Sequence, residues 1–124
     1  MKTPAIAFMT RISVCLILAA VATRTFAQDP APLSIAHREG HLRRIVTVCF
    51  IENVATRDEL MAMSARFIQA LSATSAVPLK ELEAEVARGN AELASQGGLM
   101  DRCARIREEG ERTIRDRDAK LITR

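Results

Sequence analysis

The sequence LRRIVTVCFI, residues 42–51, is the most apolar stretch that follows the N-terminal segment of the chain. Its apolar side chains recur at the spacing of one helix face: Leu42, Ile45, Val46 and Cys49. The β-branched residues between positions 45 and 51 would also suit a strand. No second stretch has the pattern of a partner strand, so we predict a central, well-covered helix over residues 35–53.

The first 27 residues have the three parts of a secretory signal peptide. After a basic start that ends at Arg11, residues 12–22 form an uncharged apolar run of 11 residues. Small residues, Thr25 and Ala27, then precede a cleavage site between Ala27 and Gln28. The alternative is an uncleaved anchor, but a spanning helix needs roughly 20 apolar residues. We expect cleavage, no membrane span in the mature chain, and a periplasmic or secreted location.

Charge and aromatic content argue against a nucleic-acid partner. The formal net charge is +3, but three of the 18 basic residues and none of the 15 acidic ones lie in the predicted leader. The cleaved chain therefore has no net charge, whereas duplex binding depends on Lys and Arg that neutralise phosphates. Single-strand binding uses aromatic platforms, and only Phe50 and Phe67 follow the leader.

Residues 34–124 are predicted to form one small all-α domain, a bundle of three or four mostly antiparallel helices. Residues 28–33 would form a short linker, because Pro30 and Pro32 favour an extended backbone. Ser34 is then the expected cap of the first helix.

The second helix is predicted over residues 57–72. Thr56 and Glu59 have the spacing of a capping box, in which each side chain binds the backbone N–H of the other residue. The alternative is that this helix continues the first one, with a bend near residues 53–56. Either arrangement keeps the apolar, Met-containing face of the segment available for packing.

The third and fourth helices are separated by a pair of glycines. Pro78 suits the first turn of the third helix, and Gly97-Gly98 is expected to end it. The fourth helix would cover residues 99–121. Its opposite charges alternate at i, i+4 spacing, so we expect a solvated helix with few core contacts and an end that projects or frays.

Cys49 and Cys103 are the two cysteines outside the leader. Cys49 shares a helix face with Ile45, and Cys103 shares one with Leu99 and Ile106, so both are expected to face inward. In an oxidising compartment such a pair most simply forms one disulfide, which contributes about 4 kcal/mol in the chain-entropy model. The alternatives are two buried thiols or an intermolecular bond. A redox-active pair is disfavoured because there is no C-x-x-C spacing.

His37 and His41, in the sequence HREGH, are the candidate metal ligands. Residues four apart lie one turn above each other, so both imidazoles can reach one divalent cation. The zinc-protease pattern requires Glu after the first His, where this chain has Arg38. No third ligand is evident, because Glu39 projects to another face. The alternative is two surface histidines in a helix that Gly40 weakens.

No motif specifies a reaction. The carboxylates lie among arginines, and no pair of them occupies the apolar setting that acid–base catalysis needs. We therefore expect a non-enzymatic protein without catalytic residues or a cofactor. It would bind a protein partner or a second copy of itself, in a chaperone-like, inhibitory, immunity or secretion-accessory role. The second and fourth helices would supply the contacts, and an apolar strip would remain on the third or fourth.

Two other functions stay open. The first is periplasmic divalent-metal binding by His37 and His41. The second is a small hydrolase, which would need a concave site with perturbed titratable groups.

Overall fold

Four helices account for most of residues 31–123, the part of the chain that the computed structural model describes. They are α1 (Ala31–Cys49), α2 (Val54–Ser75), α3 (Leu79–Gln96) and α4 (Leu99–Ile122). These residues contain no strand, so the prediction of an all-α fold is confirmed. None of the four helices is both long and apolar enough to cross a membrane. The predicted leader, its cleavage site between Ala27 and Gln28, and residues 28–30 lie outside the described residues.

Helix α1 begins at Ala31, four residues before the predicted start. Residues 31–33 therefore form its first turn and are not part of a linker. Pro32 is compatible with this position, because the first N–H groups of a helix have no intrahelical acceptor and proline lacks that donor. Pro32 is also buried, so packing favours the longer helix.

Helices α1 and α2 are separate, and Asn53 caps the second one. The Asn53 Oδ1 accepts a hydrogen bond from the Thr56 backbone N–H at 3.2 Å. The predicted capping box is therefore wrong, since Thr56 lies inside the helix instead of at its cap. Asn is as good an N-cap as Ser or Asp, because its side-chain oxygen satisfies the same unpaired donors.

The glycine pair between α3 and α4 has the predicted role. Both residues have positive φ angles, 71° at Gly97 and 70° at Gly98, which glycine adopts without the steric penalty of a Cβ atom. Two residues are thus sufficient to end α3 and to redirect the chain into α4.

The core has two clusters, and α1 contributes to both. One cluster joins α1, α2 and α3 through Ala36, Ile68, Leu82 and Val86. The other joins α1, α2, α4 and the turn after α1 through Val46, Phe50, Leu60 and Ile114. Helix α1 packs against each of the other three helices, most extensively against α3. Helix α1 is therefore central, but it ends at Cys49 and only Val46 and Phe50 of the 42–51 stretch are buried, so this stretch is less covered than predicted.

Helix directions follow from which residues meet. Cys49 bonds to Cys103 near the start of α4, while Glu39 pairs with Arg117 near its end, so α1 and α4 run in opposite directions. Helices α2 and α4 run in the same direction, because Arg66 pairs further along α4 than Glu59 does. The antiparallel arrangement thus holds for α1 with α4, while α2 and α4 are parallel to each other.

Helix α4 packs against the core as far as Asp118, while its last turn is open to solvent, with Ile122 74% exposed. Ile114 and Asp118 are both buried. The expected pair of Glu111 with Arg115 is present at 2.9 Å, and that of Glu108 with Arg112 at 3.3 Å. Helix α4 is therefore solvated on one face and fully part of the core on the other.

Candidate metal centre

Two glycines bring α1 and α3 into backbone contact. A Cβ atom on Gly40 would lie 2.1 Å from the Val86 carbonyl oxygen, and one on Gly89 would lie 1.9 Å from the His37 carbonyl oxygen. Any larger residue would force the helices apart. Gly40, expected to weaken its helix, instead permits this close approach. Polar side chains on either side of the glycines can therefore reach across to the neighbouring helix.

Four side chains meet beside this crossing. The His37 Nε2 and the His41 Nε2 donate hydrogen bonds to the two oxygens of Glu92, at 2.9 and 3.2 Å. The His37 Nδ1 donates to Glu85 Oε1 at 2.9 Å. The two imidazole centroids are 5.3 Å apart. One carboxylate thus bridges the Nε2 atoms of both histidines, and a second holds the opposite nitrogen of His37.

The contacts shift the proton affinities of these groups. The hydrogen bond to Glu85, followed by that to Glu92, raises the pKa of His37 above its ordinary value of 6.5. Arg88 first, and then His37, lowers the pKa of Glu85, while His37 is the main cause of the lowered pKa of Glu92. Opposite charges that hydrogen-bond each other stabilise both ionised forms. His37 thus lies between two carboxylates, which favour its protonated form.

The same atoms form a potential ligand set. One donor atom each from His37, His41 and Glu92 lies within 4.8 Å of the others. Their side chains are 28%, 31% and 49% exposed, so an ion from solvent can reach them. Two imidazoles and one carboxylate are the ligands of several catalytic zinc sites. Loss of a proton from each Nε2 would free the lone pairs that a cation needs.

The histidines were predicted as ligands from their spacing, and the structure adds Glu92, on a different helix. Glu39 is not part of the cluster. Two glycines in helix interiors, Gly40 and Gly89, were the available sequence signal, since an interior glycine often marks a close backbone approach. That signal places two helices together, but it does not say which helices.

A second polar cluster lies in the core, and the sequence reasoning missed it. Glu39, 1% exposed, accepts bonds from both Nη atoms of Arg117 at 2.6 and 2.8 Å, and from the Ser64 hydroxyl at 2.6 Å. Arg117 also covers the Phe67 ring at 3.9 Å. The expectation that the carboxylates lie on solvated faces is therefore wrong for Glu39. Its charge is compensated by the guanidinium and the hydroxyl, as a buried charge requires.

Asp118 is the other buried carboxylate among residues 31–123. Arg66 donates to both of its oxygens, each at 2.9 Å. This contact lowers the pKa of Asp118 below its ordinary value of 3.8. The pair joins α2 to α4, as Glu39 with Arg117 joins α1 to α4. Both carboxylates are engaged by arginine, so they act as interhelical links.

The predicted disulfide between Cys49 and Cys103 is present, with the Cα atoms 5.3 Å apart. It joins the end of α1 to the first turns of α4. Beside it lies an open groove of about 380 Å³, lined in part by Ile51 and Met100. Ile51, Val54 and Met100 are 60%, 51% and 71% exposed. Exposed apolar side chains thus occur at this end of the bundle, and Leu79 on α3 and Ile122 on α4 are exposed as well.

Comparison of the chain with protein-family models, with curated proteins and with solved structures finds no match. The chemistry of the side-chain clusters is therefore the basis for assigning a function.

Proposed function

We propose that the protein is an exported helical protein that binds one divalent transition-metal cation through His37, His41 and Glu92. The observation that carries this proposal is the convergence of their donor atoms within 4.8 Å, from two helices that the fold holds in contact. The two imidazoles lie one turn apart on α1. The carboxylate of Glu92, on α3, reaches them because the glycines allow the two helices to approach closely. The site would bind a cation without a rearrangement of the backbone.

The donor atoms select a class of cation. Imidazole nitrogen suits Zn²⁺, Ni²⁺ and Cu²⁺, whereas Mg²⁺ and Ca²⁺ prefer oxygen ligands. Because the site has only one anionic oxygen ligand, we expect it to have low affinity for Mg²⁺ and Ca²⁺. Affinity for first-row cations at a given nitrogen and oxygen site generally rises towards Cu²⁺ and then falls at Zn²⁺. We therefore expect Cu²⁺ to bind most tightly, ahead of Ni²⁺ and Zn²⁺.

Export is supported by the disulfide and by the predicted leader. Disulfides form and persist in the periplasm and outside the cell, and the bond between Cys49 and Cys103 links residues 54 positions apart. A binding protein in such a compartment meets cations that have not been sequestered by cytoplasmic ligands. This location is part of the proposal.

Calorimetric titration of the oxidised protein with Zn²⁺, Ni²⁺ and Cu²⁺ tests the assignment. We expect one cation per chain, and a loss of at least tenfold in affinity for each of His37→Ala, His41→Ala and Glu92→Gln. Glu81→Gln is the matched control, because Glu81 is an exposed glutamate on the same helix. Binding that persists unchanged in both histidine variants would contradict the proposal.

The second candidate is a protein-interaction role, in which the chain acts as a chaperone-like, inhibitory, immunity or secretion-accessory protein. Exposure of Ile51 and Met100, which line the groove beside the disulfide, favours it, because clustered exposed apolar side chains mark contact sites. A photocrosslinker at position 100 should then capture a partner or a second copy in periplasmic extract. Recovery of uncrosslinked monomer alone would count against this role.

A further inference from the structure

We propose that Glu85 is a positioning residue of the cation site: it holds the Nδ1–H of His37, so that this histidine binds the cation through Nε2. The inference rests on the proposed function. The two glutamates of α3 then have different roles. Glu92 is a ligand of the cation, whereas Glu85 orients the ligand His37.

The first argument is the orientation of the imidazole. The two nitrogens of His37 face different carboxylates, Nδ1 towards Glu85 and Nε2 towards Glu92, each at 2.9 Å. When a cation displaces the proton on Nε2, the carboxylate on Nδ1 holds the remaining proton there, so that Nε2 supplies the lone pair. The Nε2 atom is also the one that lies beside His41 and Glu92. The hydrogen bond to Glu85 therefore selects the tautomer that the ligand set requires.

The second argument is the occupancy of the carboxylate oxygens. Glu85 Oε1 accepts from His37, and Glu85 Oε2 accepts from the Arg88 Nε at 2.9 Å. Both oxygens of Glu92, by contrast, face imidazole Nε2 atoms, whose protons a cation displaces. Arg88 and the Nδ1–H keep their protons when a cation binds. Glu85 is thus retained by its hydrogen bonds, while Glu92 becomes free to coordinate.

The third argument is rigidity. The side chain of Glu85 is 19% exposed, compared with 49% for that of Glu92. Arg88, three residues away on the same helix, fixes the less exposed carboxylate from the solvent side. A fixed acceptor restricts rotation of the His37 ring before a cation arrives. Groups that hydrogen-bond to a metal ligand typically contribute 10- to 100-fold to metal affinity.

Nitrogen NMR of the histidine side chains in the Zn²⁺-loaded wild-type protein provides the direct test. We expect His37 to carry a proton on Nδ1 and to bind Zn²⁺ through Nε2. In Glu85→Ala we expect Zn²⁺ affinity to fall about 10- to 100-fold and Nδ1 coordination to become detectable. Glu85→Gln should recover much of the affinity, because its amide oxygen also accepts the Nδ1–H. Glu81→Ala, which removes an exposed glutamate of the same helix, should have no effect.

The outcomes separate the two proposals. Coordination through Nδ1 in the wild-type protein, or equal Zn²⁺ affinity in the wild-type protein and Glu85→Ala, overturns the role of Glu85 and leaves the cation site intact. Absence of Zn²⁺ binding in the wild-type protein overturns both. Should Glu85→Ala fail to fold, the wild-type spectrum and the Gln variant still decide the matter. A merely structural role would lower stability without moving the proton from Nδ1.

Discussion

Helix α1 is held at its two ends by different chemistry. Near its start, His37 and His41 meet α3 through hydrogen bonds and ion pairs beside a glycine crossing. At its end, Cys49 is joined covalently to α4. The first junction is reversible and open to solvent, whereas the second is permanent in an oxidising compartment.

The difference shows how one helix can serve both stability and binding. A disulfide fixes two helices whatever the surrounding ions. The junction of α1 with α3 instead contains the donor atoms of the proposed cation site, whose occupancy would depend on pH and on the cation concentration. The covalent link at one end can therefore keep α1 in place while the other end exchanges its ligands. Disrupting each junction separately should show whether one serves stability and the other serves binding.

Removal of the disulfide should have the largest effect on stability. We expect the double variant Cys49→Ala/Cys103→Ala to lose about 4 kcal/mol in the free energy of unfolding, measured by urea denaturation. The protein that remains folded should bind Zn²⁺ with nearly wild-type affinity, because the cation site lies at the other end of α1. A large loss of affinity in the folded fraction would show that the two junctions are not independent. The control is a reductant, which should destabilise the wild-type protein and leave the variant unchanged.

A substitution that separates α1 from α3 should have the second largest effect on stability. In Gly89→Ala the new methyl group would meet the His37 carbonyl, so we expect a loss of about 2–3 kcal/mol and Zn²⁺ affinity at least tenfold weaker. Gly110→Ala is the matched control, because its Cβ would lie 3.5 Å from an Ile45 methyl group, an ordinary contact. Alanine's higher helix propensity should make that variant neutral or more stable by up to about 1 kcal/mol. Equal unfolding curves for the two variants would contradict the close backbone contact of α1 with α3 at Gly89.

Asp118→Asn should have the smallest effect, and one that depends on pH. Arg66 lowers the pKa of Asp118 in the folded protein below 3.8, so the pair stabilises the fold fully above pH 3.8. This stabilisation disappears as pH falls through the lower pKa of the folded state. Urea denaturation should show wild type and variant converging in acid, with Asp116→Asn as an exposed control. A difference in the free energy of unfolding that grows towards low pH would contradict a stabilising ion pair between Asp118 and Arg66.

The sequence was sufficient to predict which side chains share a helix face, although it misplaced the start of α1 and the cap of α2. Cys49 and Cys103 lie on inward faces that can be read from apolar spacing, and their bond is present. His37 and His41 share a face for the same reason. The prediction of their partners requires knowledge of which helices touch. Glu92 and Glu85 are unremarkable surface glutamates in the sequence, and they reach the histidines only because Gly40 and Gly89 bring the backbones together.

The buried carboxylate shows the same limit in another way. Glu39 lies in a charged segment, and helical periodicity alone places it away from the apolar face. Its burial depends on Arg117 and Ser64, which lie on two other helices. Local pattern identifies apolar core positions, but a charge becomes a core residue only when tertiary partners compensate it. Such residues are therefore missed by any method that considers one helix at a time.

The pairing of Glu39 with Arg117 also constrains the order in which the chain can become native. The two residues are 78 positions apart, so α1, which emerges before the other described helices during synthesis or export, contains a carboxylate whose guanidinium emerges only with the end of α4. Until then, closing the core around Glu39 would bury an uncompensated charge, which is strongly unfavourable. We therefore expect intermediates that lack the end of α4 to stay open around α1, and the domain to close only after the end of α4 has emerged.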